Sequence, residues 1–122
     1  MGNFKKLNVW IKSKDLAVEI YRIAKINDVL SRDFRLRDQM TSSAVSISSN
    51  IAEGDELDTQ KQSIRFFYYS KGSCAELMTQ IIICKELKII EEKKADQLID
   101  TCEHISAMLN KLIKVRSNIP NK

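Results

Sequence analysis

The chain has 122 residues, 43% of them apolar and 30% charged, with three glycines, one proline and a formal charge of +4. So few glycines and prolines argue against a β-sandwich, a β-barrel or a low-complexity chain. The apolar fraction excludes disorder, and no run approaches the 18 apolar residues of a membrane span.

The opening residues pass straight into an amphipathic pattern, so no secretory signal is expected. The first predicted helix covers about residues 7–29, where Val9, Ser13, Leu16, Ile20 and Ile23 recur at helical spacing beside Leu7, Trp10, Ala17, Tyr21 and Ala24. The second covers about 34–53, with Leu36, Met40, Ala44, Ile47 and Ile51 in step. Its many serines lower helix propensity but let two helix axes approach closely. Gly54 follows the last apolar residue, where a left-handed terminating residue is expected. Thr59 with Gln62 forms a plausible capping box for the third helix, about 59–87, with Phe67, Ser70, Cys74, Leu77, Ile81, Cys84 and Leu87 in 3–4 alternation. Gly72 interrupts that stretch, and close packing is its expected reason. The fourth covers about 92–116, on Ala95, Leu98, Cys102, Ile105, Leu109 and Leu112. Four such helices with short connections predict an all-α fold: a single domain, an antiparallel up-down-up-down four-helix bundle.

Charge is uneven along these elements. Residues 1–27 carry a surplus of four positive charges, 28–58 a deficit of four, and 59–90 and 91–122 surpluses of three and one. A basic face turned to an anionic partner and an ordinary solvated surface both produce this distribution. Cys74, Cys84 and Cys102 are odd in number, lack CxxC pairing and fall in apolar register, so they read as small buried hydrophobes of a reducing compartment.

Hydrolase, kinase, P-loop and dinucleotide motifs are absent. Di-iron bundles need paired Glu-x-x-His motifs, which the single His104 cannot supply. No enzyme, metal or cofactor is expected. Two polar rows stand out: Ser46, Asn50 and Glu53 on one face of the second helix, and Ser73, Glu76 and Gln80 on one face of the third. They read as a polar network fixing helix register; a catalytic reading survives only as a composite site between subunits around Glu53 and Glu76. A hairpin centred near residue 56 brings Glu76 to Leu36 and Arg37, predicting a Glu76–Arg37 contact.

Ser46-Ile47, Asn50-Ile51-Ala52-Glu53-Gly54, and Gly72-Ser73 with Glu76-Leu77, together with the early Val9-Trp10, resemble the 23S rRNA intervening-sequence protein family over about residues 7–115. The family is similar to the accessory protein of diversity-generating retroelements, a bundle that forms a pentameric barrel and binds nucleic acid and a reverse transcriptase. The resemblance implies a cytoplasmic bacterial four-helix bundle, a homopentamer with an RNA or RNA-associated protein partner, and no enzyme; the family's own role is poorly defined. This chain departs from the family pattern in having Thr41 and Ser42 where basic residues are usual, Leu57 and Asp58 where arginines are usual, and Lys88 where glycine is usual before the last helix. The cations left for RNA are Lys14, Arg22 and Lys25 on the first helix and Lys61 and Arg65 on the third, with Tyr68 and Tyr69 as stacking surfaces or as interface residues. The alternative is a purely structural, protein-binding oligomer without affinity for nucleic acid.

Overall fold

Four α-helices, α1 (Asn8–Ile26), α2 (Phe34–Glu56), α3 (Gln60–Glu86) and α4 (Glu92–Ser117), follow a 3-10 turn at Phe4–Lys6. The structure, a computed structural model, describes residues 2–120. Each helix packs on its neighbours in sequence, α4 also touches α1, and α1–α3 and α2–α4 are the diagonals. Contacts run in opposite order along paired helices: Ser43 meets Glu76 while Ile47 meets Ser70, and Cys74 meets Cys102 while Lys85 meets Asp96. Among the described residues no helix is long and apolar enough to cross a membrane.

The apolar rows converge as their spacing requires. Leu16, Ile20, Met40, Ala44, Ile47, Leu77, Ile81, Leu98, Ile105 and Leu109 form one core, and each large aliphatic side chain removed from water contributes roughly 1.5–3 kcal/mol. All three cysteines are buried and free. Tyr21 and Leu87, placed in the apolar rows by spacing, instead face outward, 54% and 65% exposed; Leu87 lies just past the end of α3, where the helical row no longer holds it against the core.

Helix ends differ from expectation in three places. α1 stops at Ile26, short of Val29, because Asn27 is extended and its Oδ1 accepts from the amides of Val29 and Leu30 at 3.0 Å each. α2 runs through Gly54 to Glu56. At the end of α3 the Ile89 amide donates to the Cys84 carbonyl at 2.8 Å and the Lys88 amide to the Lys85 carbonyl at 3.0 Å, a Schellman closure. Its left-handed position is taken by Lys88 itself (φ 59°), at a cost of about 1–2 kcal/mol in backbone strain. Caps at the other ends are local: Asp33 accepts from the Leu36 amide, and Thr59 from the Gln62 amide as its spacing predicted.

Neither of the two helical glycines has the role that spacing suggested. Gly54 lies inside α2, where an added Cβ would sit 2.9 Å from Phe67 Cε1, 3.0 Å from the Ser63 carbonyl oxygen and 3.1 Å from Phe66 Cβ. It is therefore the close-approach point of α2 and α3, and no helix terminator. Around Gly72 a Cβ would meet nothing within 4 Å. Alanine gains up to about 1 kcal/mol of helix propensity at either position. At Gly54 that gain is outweighed, because backbone and Cβ atoms of α3 must move and overpacking costs about 1–3 kcal/mol. Gly72→Ala is thus expected to raise the urea midpoint and Gly54→Ala to lower it; shifts of the same sign in both variants would refute the assignment.

Candidate functional site

The polar rows are brought together only in part. The hub is Ser43, one residue before the buried Ala44 and three after the buried Met40, hence at the edge of the core. Its hydroxyl lies 2.6 Å from Glu76 Oε1 and 2.9 Å from the Gln39 carbonyl, and accepts from Gln80 Nε2 at 3.2 Å. Gln80 is buried and its Oε1 has no hydrogen-bond partner. Asp38, Gln39, Ser42, Ser43, Glu76, Thr79 and Gln80 line an open groove of about 730 Å³ between α2 and α3. It holds two carboxylates and no cation.

The α2 row does not join this network. Asn50 donates to the Ser46 carbonyl of its own helix at 2.8 Å, Glu53 is exposed, and no hydrogen bond links either row through Ser73. Glu53 and the Ser43–Glu76 contact are ten residues apart on α2, about 15 Å along the axis, so the two glutamates share no site within one chain.

The expected Glu76–Arg37 contact is replaced. Because α2 continues to Glu56, the α2–α3 hairpin turns around residues 57–59, and Glu76 faces Ser43, six residues along α2 from Arg37. Arg37 instead donates to Asp38 at 3.2 Å and to the Ser31 carbonyl at 3.4 Å, with its guanidinium 4.6 Å from the Phe34 ring centre.

The candidate cations fall into separate sets on the diagonal helices α1 and α3. Lys14 is paired with its neighbour Asp15 at 2.6 Å. Arg22 and Lys25 line a second open groove, between α1 and α2, with Tyr21, Ala24, Ser31, Arg37, Asp38 and Thr41. On α3, Lys61, Arg65, Tyr68 and Gly72 follow one another at four, three and four residues, a single exposed stripe. Tyr68 and Tyr69 are 54% and 51% exposed, Lys71 Nζ sits 5.6 Å from the Tyr68 ring centre, and Tyr69 packs edge-on against Phe66.

The thiols are inward groups. Burial and the charge of Asp33 push Cys84 up to about 11, and the neighbouring Cys74 thiol together with burial holds Cys102 above its ordinary range. Neutral, apolar thiols are the form that packs in a core. Among the described residues no three His, Cys, Asp or Glu side chains converge as a metal centre needs.

Sequence reasoning missed three residues that matter. Ser43 is one serine among many, Asn27 falls inside the expected first helix, and Asp55 is one of several acidic residues in the 28–58 stretch. Asp55 is in fact buried and paired with Arg116. Only Ser43 left a signal, its position at the core edge.

Comparison with known proteins agrees with this architecture. A solved structure of a protein of unknown function from the S23 ribosomal protein family of Bacteroides thetaiotaomicron superposes with a TM-score of 0.82 at 21% identity, over 87% of this chain and 98% of that one. No curated protein matches. The family model described as 23S rRNA-intervening sequence protein matches residues 5–111. The chain belongs to the 23S rRNA-intervening sequence protein family.

Proposed function

We propose that the protein is a non-catalytic assembly module of the cytoplasm, a bundle that associates with copies of itself as a homopentamer and serves as an adaptor for RNA or an RNA-associated protein. The observation that carries the RNA reading is the α3 stripe. Lys61 and Arg65 supply phosphate contacts, Tyr68 an exposed ring, and Gly72 the open space beside it into which a base can slide.

Labelled single-stranded RNA titrated at low and high salt tests this. Affinity is expected to fall with a log–log slope of roughly −0.7 per phosphate contact. Lys61→Ala with Arg65→Ala should shallow that slope by about 1.4 in total. Tyr68→Ala should weaken binding by about 1–3 kcal/mol and leave the slope unchanged. If RNA does not bind at either salt, the RNA reading fails, and the protein-binding oligomer is the reading that stands. The mass of the same sample by light scattering tests the assembly independently.

A further inference from the structure

The two open grooves on either side of α2 are opposite in charge. The α2–α3 groove is lined by Asp38 and Glu76 and by no cation, and among the described residues Glu76 has no ion-pair partner. The buried Gln80 lining it also has an amide oxygen without a hydrogen-bond partner among the described residues. The α1–α2 groove carries Arg22, Lys25 and Arg37. Arg37 is engaged by Asp38, whereas Arg22 and Lys25 are exposed without a carboxylate partner. Asp38 lines both grooves, so the two lie at the same height on the bundle.

We infer that the α2–α3 groove of one copy receives the Arg22 and Lys25 side chains of a second copy, with the exposed Glu76 carboxylate as the acceptor. The inference rests on the assembly reading above and names its contact. Within one chain Arg22 and Lys25 belong to the neighbouring face and pair with no carboxylate; between copies, matched height and opposite charge let each copy give one face and take the other. Such a contact is head-to-tail. The two faces adjoin across α2 and are not opposed, so each added copy turns relative to the last. That geometry curves toward a closed ring and away from a straight filament. The contact orders partners by charge and weakens as salt screens it.

The test is charge reversal read by light scattering. Glu76→Arg alone, and Arg22→Glu with Lys25→Glu, are each expected to weaken self-association by roughly tenfold or more, so that the 14.0 kDa chain appears where the wild type is assembled. Combining all three substitutions is expected to restore the assembled mass. The α1 pair touches only exposed side chains, so it keeps the test sound if Glu76→Arg disturbs Ser43; helicity by circular dichroism checks folding in each variant. An assembled wild type whose mass survives both reversals overturns this contact and leaves the assembly reading intact. A folded triple variant that stays dissociated overturns it as well. A wild type that runs at 14.0 kDa overturns the assembly reading and this contact with it.

Discussion

Replacing Arg116 with methionine is expected to destabilise the bundle by about 3–5 kcal/mol, measured as a lowered urea midpoint. Asp55 is 6% exposed, near the end of α2, and its Oδ1 accepts from Arg116 Nη2 at the end of α4. Its other carboxylate oxygen is buried with no hydrogen-bond partner, and the Gly2 backbone lies against the carboxylate so closely that a Cβ would overlap it. The Arg116 guanidinium also sits 5.5 Å from the Phe67 ring centre, so the variant loses a cation–π contact. Pairing Arg116→Met with Asp55→Leu separates charge from packing. An apolar pair in place of a buried ion pair is often neutral, so the double variant should recover most of the loss. A single variant that loses under about 1 kcal/mol would mean the pair behaves as a solvated surface bridge.

Asn27→Ala is expected to cost about 2–3 kcal/mol, because one side chain closes the opposite end of the bundle with three hydrogen bonds of about 1 kcal/mol each. Its Nδ2 donates to the Ile89 carbonyl of the α3–α4 turn at 2.9 Å, while Oδ1 accepts from the Val29 and Leu30 amides. Leu30 is itself fully buried in the core, so its amide has little access to water once the acceptor is removed. Asn27→Asp discriminates between the two halves of this clamp. It keeps both acceptor bonds but turns a carboxylate toward the Ile89 carbonyl, and should therefore destabilise as well. Hydrogen exchange at the Leu30 amide locates the effect: faster exchange is expected in Asn27→Ala and near-native exchange in Asn27→Asp. Equal stability of wild type and Asn27→Ala would refute the clamp.

The gap between expectation and structure is concentrated at cross-helix polar contacts. Gly54 carries the local signature of a helix end, yet α2 passes through it because Ser63, Phe66 and Phe67 of α3 leave no room for a side chain there. Placing the end at Gly54 centres the hairpin near residue 56. The observed turn lies around residues 57–59, which moves the partner of Glu76 from Arg37 to Ser43. That displacement of about two residues at the turn, counted once on each helix of the hairpin, accounts for about four of the six residues by which the contact moves, a little over one helical turn. Lys88 shows the same dependence on context. The last turn of α3 closes by backbone hydrogen bonds while Ile89 packs against the core, and the strain at one lysine is smaller than the gain.

The helix count, the Thr59 cap and the buried rows apart from Tyr21 and Leu87 were legible in the sequence, because a 3–4 apolar period and a capping side chain act within a few residues of themselves. The tertiary structure alone decided which polar groups meet: Ser43 with Glu76 and Gln80, Asn27 with the Ile89 carbonyl, Asp55 with Arg116. Those pairings depend on the end of each helix and on its rotation against its neighbour. Both are set by core packing summed over the whole bundle, and no local pattern carries that sum.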